Sequence, residues 1–180
     1  CNITMEQGRT FREKVKTGLR HPNLLCRVLN RNTYRYFPQW DYHSRGVQFF
    51  EEDWDNLIIL DACRYDAFAS NYSLPGSLTS RVSNASNTVD FLANNFDGRD
   101  LRDTVYVTAN GQISNYWNDL GLDLHTVEPL YATAWDDVVG TVRPEPVTEA
   151  AIETHEKYPT KRLVIHFVQP HMPFVRASTE

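Results

Sequence analysis

The chain has 180 residues, 41% of them hydrophobic and 12% aromatic, which is enough for one ordinary domain with a hydrophobic core. Its 18 Lys and Arg against 23 Asp and Glu give a formal net charge of -5, and the basic residues are scattered along the chain. This disfavours a nucleic-acid-binding protein, because such proteins concentrate Lys and Arg on one face. The apolar runs fall far short of the roughly 20 residues that a bilayer crossing needs, so no transmembrane segment is expected.

The three cysteines, Cys1, Cys26 and Cys63, are irregularly spaced. Such a pattern favours neither a disulfide framework nor a zinc site built from paired cysteines. We therefore predict a reducing compartment, the cytoplasm. The chain begins at a residue other than Met and ends at Glu180 just after a motif-like stretch, so we expect a fragment of a longer protein.

Residues 1–48 are polar and basic, with short helical patterns on either side of a His-Pro pair. We predict a helical collar for this segment. A basic amphipathic helix can also lie on an anionic membrane surface, but the apolar face here is thin. Residues 49–180 are predicted to form an α/β domain.

From residue 49 onward, strand patterns alternate with helix patterns. The uninterrupted apolar run 57–60, closed by Asp61, predicts a central parallel strand that is buried on both faces. A second helix is predicted to begin at Thr88, with Asn87 or Ser86 as its cap. The remaining predicted elements are helices over 64–70 and from 146 to about 157, a loop over 71–87, and strands at 104–108, 122–127 and 162–168. Alternating strands and helices indicate an α/β fold with a mostly parallel sheet and helices on both faces.

In sheets of this kind, ligands bind at the carboxyl ends of the strands. Asp61 follows the first strand, where its carboxylate can ligate a hard cation or simply cap the next helix. The hydroxyls of Ser83, Ser86 and Thr88 precede or open the second helix, where free N–H groups suit a phosphate or a sulfate. An ordinary helix cap is the alternative for these hydroxyls.

Two histidines accompany the last predicted strand. His171 lies between two prolines after that strand. A histidine in this position can be a metal ligand, a proton donor, a substrate contact or a plain surface residue. His166 alternates within the strand, which is typical of a hydrogen-bonded sheet residue. Near the first strand, Arg64 and Asp66 are predicted to pair across one helical turn, and Cys63 is predicted to be a small buried side chain rather than a nucleophile.

Three segments together resemble the alkaline phosphatase superfamily, and its sulfatase-like members in particular. They are Leu57-Ile58-Ile59-Leu60-Asp61-Ala62-Cys63-Arg64-Tyr65-Asp66, Ser86-Asn87-Thr88-Val89-Asp90-Phe91-Leu92, and His166-Phe167-Val168-Gln169-Pro170-His171-Met172-Pro173-Phe174. They occur in the order of the family and span about residues 50–175. The first segment is also similar to the metal-site strand of PglZ-type domains.

The resemblance implies a metal-dependent hydrolase or transferase that acts on phosphate or sulfate esters through a Ser nucleophile and a covalent intermediate. Asp61 matches the metal carboxylate of the family, Ser86 the nucleophile and His171 the histidine that faces the substrate. Asn87 is assigned to substrate binding, and Ser83 and Thr88 are alternative nucleophiles. The implied cofactor is a divalent metal (Zn, Mn or Ca), and the implied partner is a small-molecule or glycan phosphate or sulfate ester.

The chain departs from the family pattern in two places. The sulfatase signature Cys/Ser-x-Pro-x-Arg is absent, so phosphate esters are favoured over sulfate esters. The later Asp-His-Gly segment, which supplies further metal ligands in the family, is also absent, so we expect this chain to be inactive alone. Because a fold does not fix a function, a non-catalytic nucleotide- or glycan-binding α/β module is the alternative.

Overall fold

The computed structural model describes residues 46–116 and 122–175. The predicted helical collar therefore lies outside the described residues, except for residues 46–48. The described strands are β1 (Asn56–Asp61), β2 (Asp100–Thr108), β3 (Asp123–Pro129), β4 (Trp135–Asp136), β5 (Thr141–Val142) and β6 (Arg162–Pro170). The described helices are α1 (Tyr65–Asn71), α2 (Thr88–Phe96), α3 (Gln112–Tyr116), α4 (Leu130–Thr133) and α5 (Pro144–Lys157), with a short 3-10 helix over Phe49–Glu51.

The fold is α/β, with four parallel strands in the order β1-β6-β2-β3. The last strand, β6, is inserted between β1 and β2, so that His166 is aligned with Ile59 on one side and with Thr108 on the other. The two short strands β4 and β5 form a separate antiparallel hairpin. The predicted parallel sheet is confirmed.

Hydrophobic side chains cover both faces of the sheet. One face is packed by α5, whose Val147 and Ala151 belong to the cluster that contains Val107 and Ile165. The opposite face is packed by α2 and by the 3-10 helix, in a cluster formed by Phe49, Leu92, Phe96, Leu101, Tyr106, Ile113 and Val164. Helices therefore cover both faces, as predicted.

The first strand is not the central, doubly buried strand that its apolar run predicted. In the sheet of residues 46–116 and 122–175, β1 is an edge strand, and the side chain of Ile58 is 60% exposed. The strand buried on both faces is β6, whose residues Leu163–His166 are all buried. Both strands contain an aliphatic run, so the run alone does not indicate which strand has neighbours on both sides.

Most of the predicted elements are present with shifted ends. Helix α5 begins at Pro144 rather than at residue 146, because proline is well tolerated in the first turn, where backbone N–H groups have no partner within the helix. The β4–β5 hairpin was missed because strands of two residues leave no periodic pattern; the Asp136 carboxylate accepts the N–H groups of Val138 and Val139 and shapes its turn. Within the described ranges, the helices are too short or too polar to cross a bilayer.

Candidate active site

Asp61 lies at the carboxyl end of β1, where the strand changes its register. Leu60 is aligned with Phe167 of β6, whereas Asp61 is aligned with Pro170. The chain then turns at Ala62, whose φ of 58° is in the left-handed region, and the Cys63 N–H donates to the Leu60 carbonyl at 3.3 Å. A non-glycine residue in this region is strained, and such residues cluster at functional sites.

The half-buried carboxylate of Asp61 brings together three segments that are distant in the sequence. Its Oδ2 accepts a hydrogen bond from Asn110 Nδ2 at 2.8 Å and a longer one from Thr88 Oγ1 at 3.4 Å. Asn110 follows β2, and Thr88 is the first residue of α2. Because α2 packs on the sheet face towards which Leu57 and Ile59 point, its first turn is able to reach the side chain of Asp61.

The segment before α2 contains the hydroxyls and the amide that the sequence singled out. Asn87 caps the helix: its Oδ1 accepts the Asp90 N–H at 2.9 Å, and its Nδ2 donates to the Asp90 carboxylate at 2.6 Å. This confirms one of the two predicted caps, while a substrate contact by Asn87 stays a prediction. Ser83 closes a local turn with Ala85 at 2.8 Å, and Ser86 is exposed without a hydrogen bond to any residue of the described part of the chain.

Of the three hydroxyls, it is therefore Thr88, predicted as an alternative nucleophile, that contacts Asp61. Ser86 lies two residues before it on the same approach to α2. The nucleophile assignment of Ser86 rests on the resemblance to the superfamily, which does not fix the spacing to Asp61. The role of Ser86 as the nucleophile stays a prediction, whereas Thr88 is the hydroxyl that lies against Asp61.

His171 is exposed in the loop after β6, at the same edge of the sheet as Asp61. Its backbone N–H donates to the Val168 carbonyl at 2.9 Å, and its Nδ1 lies 2.7 Å from the Met172 carbonyl oxygen. Because a carbonyl oxygen only accepts, Nδ1 carries the proton in this contact. The other ring nitrogen, Nε2, is then available to a ligand, while a substrate contact by His171 stays a prediction.

Behind Asp61, a buried polar pair occupies the middle of the sheet. The Tyr106 hydroxyl and His166 Nδ1 are 2.6 Å apart, and both side chains are buried. Burial lowers the pKa of His166 to about 4, although the nearby Asp61 charge opposes this change. Burial also raises the pKa of Tyr106, so both groups are neutral at pH 7. His166 is the hydrogen-bonded sheet residue that its alternation predicted.

The donor set around Asp61 fits one part of a hard-cation site. Its carboxylate forms no ion pair within the described residues, and carboxylate and hydroxyl oxygens are the ligands that hard divalent cations take. Residues 46–116 and 122–175 contain no group of three His, Cys, Asp or Glu side chains that could hold a metal ion. Asp61 can therefore supply one carboxylate ligand to a divalent cation, but within these residues it does not belong to a group of three such side chains.

Comparison with known proteins identifies no relative. The chain matches no family model, no curated protein and no solved structure. The resemblance to the alkaline phosphatase superfamily therefore stays a prediction from three short motifs.

Sequence reasoning missed Asn110, although it is 7% exposed and holds Asp61. The Asn110-Gly111 pair has the usual form of a turn that ends a strand, so its composition does not single it out. The available signal was that Asn110, like Asp61, follows a strand of a parallel sheet and therefore lies at the carboxyl edge.

A cavity of about 260 Å³ lies at the opposite edge of the sheet, where β2 and β6 begin. It is lined by Phe50, Arg99, Asp100, Leu101, Asp103 and Arg162. Its two arginines are offset by two aspartates, and it contains none of the predicted site residues. The carboxyl edge therefore remains the candidate site.

Proposed function

We propose that this chain contributes the nucleophile and a metal carboxylate to a hydrolase or transferase of phosphate esters, with sulfate esters as the less favoured substrates. The observation that supports this proposal is the contact of Asp61 with Thr88 at the start of α2. It joins a carboxylate, a hydroxyl and a helix N-terminus, which are three parts that a covalent phosphoryl transfer can use.

Thr88 is the nucleophile that this geometry favours. Its hydroxyl donates to Asp61 Oδ2, so the lone pairs of Thr88 Oγ1 point away from the carboxylate and are available to attack an ester. Attack by Oγ1 on phosphorus would break the P–O bond of the ester and release its alcohol, while the Thr88 proton passes to Asp61 Oδ2, to which it is hydrogen-bonded. The phosphoryl group of the resulting phospho-threonine would then pass to water or an acceptor alcohol, and Thr88 Oγ1 would regain its proton from Asp61. Ser86 is the alternative nucleophile that the resemblance implies.

The first turn of α2 supplies donors for the phosphoryl oxygens. The Asp90 N–H is already used by the Asn87 cap, which leaves the N–H groups of Thr88 and Val89 at the positive end of the helix. Donors placed where negative charge develops are a major source of stabilisation in acyl and phosphoryl transfer. His171 holds its Nδ1 proton on the Met172 carbonyl, so its Nε2 can donate to the leaving group only in the imidazolium form and accepts a proton in the neutral form.

A divalent cation (Zn, Mn or Ca) held partly by Asp61 would neutralise charge on the transferring group. Asp61 is suited to this because the described residues supply hydrogen-bond donors, but no cationic side chain, to its carboxylate. The other ligands are not assigned to residues of this chain.

The test compares three variants of the full-length protein in the hydrolysis of an aryl phosphate with Mn²⁺ or Zn²⁺. Thr88→Val keeps the shape of the side chain and removes the hydroxyl, so we expect turnover to fall at least about 1,000-fold. Thr88→Ser keeps a hydroxyl and should retain measurable turnover. Ser86→Ala, two residues away, tests the alternative nucleophile and should stay within a few-fold of the wild type if Thr88 is the nucleophile.

Each other outcome points to a different reading. Loss of turnover in Ser86→Ala, with Thr88→Val active, would assign the nucleophile to Ser86. Activity in both variants would remove a covalent step at α2, and preference for an aryl sulfate would reverse the order of substrates. An inactive wild type under all metal conditions would favour the non-catalytic nucleotide- or glycan-binding module.

A further inference from the structure

Asn110 is a buried residue whose side-chain oxygen and nitrogen are both hydrogen-bonded. Its backbone N–H donates to Thr108 Oγ1 at 3.1 Å, its Oδ1 accepts the Gln112 N–H at 2.9 Å, and its Nδ2 donates to Asp61 at 2.8 Å. These contacts tie Asn110 to the end of β2, to the start of α3 and to the end of β1. Leaving these buried polar atoms without hydrogen-bond partners would be costly, so the network is held in one arrangement.

The orientation of the Asn110 amide follows from these contacts. A backbone N–H can only donate, so the atom that faces Gln112 must be the carbonyl oxygen Oδ1. The NH2 group then faces Asp61, which must accept. Turning the amide by 180° would place a donor against a donor and an acceptor against an acceptor, so the Gln112 contact excludes that arrangement.

The carboxylate of Asp61 is held asymmetrically as a result. Both of its hydrogen bonds, from Asn110 and from Thr88, end on Oδ2. No described residue donates a hydrogen bond to its Oδ1. The hydrogen bond from Asn110 is the shorter of the two and comes from the more buried residue. It therefore fixes the carboxylate even when the Thr88 hydroxyl is engaged elsewhere.

We propose that Asn110 is a positioning residue, which clamps Oδ2 of Asp61 so that Oδ1 is presented to a divalent cation. The inference rests on the proposed function, in which Asp61 is a metal ligand, and adds to it a residue that does not itself touch the metal. Partners that orient a ligating side chain typically change metal affinity by about 10- to 100-fold when they are removed. Asn110 is expected to fall in this range.

Asn110→Ser separates positioning from a purely structural role. A serine hydroxyl is able to accept the Gln112 N–H, as serine does in turns of this kind, but it is too short to reach Asp61. The local turn is therefore retained while the clamp on Oδ2 is lost. The matched control is Asn95→Ser: Asn95 is also a buried asparagine, whose Nδ2 donates to Phe91 O and Asn84 Oδ1, and it lies seven residues along α2, about 10 Å from Thr88.

The first measurement is the affinity of the full-length protein for Mn²⁺ alone, by titration calorimetry or electron paramagnetic resonance. Asn110→Ser should weaken Mn²⁺ binding about 10- to 100-fold, and Asn95→Ser should change it less than about two-fold. Equal affinities in Asn110→Ser and the wild type would overturn the proposal, as would equal losses in the two serine variants.

The second measurement follows the side-chain amide signals of Asn110 by nuclear magnetic resonance in the absence of metal. In the wild type, we expect one amide proton to be shifted and protected from exchange by the carboxylate, and this protection should be lost in Asp61→Ala. If the Asn110 signals do not respond to Asp61→Ala, the clamp is not formed and the inference is wrong. If the signals respond but Mn²⁺ binds the wild type and Asp61→Ala equally, the metal role of Asp61 fails, which contradicts the proposed function and the cation part of this inference.

Discussion

Buried His166 predicts an acid sensitivity of the folded state that can be measured without knowing the substrate. Burial lowers its pKa from the ordinary value of 6.5 to about 4, so the folded protein keeps a neutral imidazole where the unfolded chain takes up a proton. Well above pH 6.5 the two states bind equally few protons at this site. As the pH falls from 6.5 towards 4, the unfolded state is stabilised, and the free energy of unfolding decreases.

The magnitude follows from the difference between the two pKa values. One pKa unit corresponds to about 1.4 kcal/mol, so the complete effect below pH 4 is about 3 kcal/mol. Between pH 7 and pH 5, about 2 kcal/mol of this loss is expected from His166 alone. This is a large fraction of the stability of a typical domain, which is about 5–15 kcal/mol.

The assay is urea unfolding at pH 7 and at pH 5 for the wild type and for His166→Gln, which keeps a side chain that can hydrogen-bond the Tyr106 hydroxyl in either direction. Carboxylates titrate in both proteins and cancel, so the wild type should lose about 2 kcal/mol more than the variant over this interval. Losses that agree within about 0.5 kcal/mol would refute the reasoning. If His166→Gln does not fold, the imidazole resonances of wild-type His166 provide the second test, because they should still be those of a neutral ring at pH 5.

Two further predictions concern backbone strain and a half-buried ion pair. Ala62 and Gly98 both have positive φ angles, of 58° and 67°. In urea unfolding, Ala62→Gly should therefore raise the free energy of unfolding and Gly98→Ala should lower it, each by roughly 1 kcal/mol. A change of the same sign in both variants would contradict this. The hydrogen bond from Arg143, 2.6 Å from Asp136 Oδ2, lowers the pKa of Asp136, so its stabilisation is present above the ordinary Asp pKa of 3.8 and is lost as the pH falls through the lowered value. Asp136→Asn should therefore reduce the loss of stability in acid unfolding, and an unchanged pH profile would show that the pair is not maintained in solution.

Local sequence patterns were sufficient to predict several individual elements and short-range contacts. The Asn87 cap and the start of α2 follow from side-chain chemistry within four residues, and the bidentate Arg64–Asp66 pair, with both contacts at 2.9 Å, spans only two. The strands at β2 and β6 were recognised from their β-branched and aliphatic runs, although each extends further than predicted. The cap and the ion pair depend on contacts that are close in sequence, whereas the two strands were recognised from their composition alone.

The arrangement of the site was not available from the sequence, because it depends on contacts between distant segments. Asp61 and Asn110 are 49 residues apart, and β6 lies between the strands that carry them. An edge position for β1 and a central position for β6 are decided by this insertion rather than by either apolar run. The same applies to Thr88, whose contact with Asp61 spans 27 residues and depends on how α2 packs on the sheet.

The size of the Thr88 effect distinguishes the enzyme from the binding module more sharply than the presence of a ligand does. In a nucleotide- or glycan-binding module, the hydroxyl of Thr88 would donate one hydrogen bond to its ligand, and a bond to a charged group contributes about 1.5–3 kcal/mol. Thr88→Val would then weaken binding by about 10- to 150-fold and leave no covalent trace. In the proposed mechanism the same change removes the atom that carries the phosphoryl group, so acid-quenched wild-type protein should contain phospho-Thr88 during turnover. Turnover without modified Thr88 or Ser86 would leave Asp61 and its neighbours as a binding site and move the chemistry elsewhere.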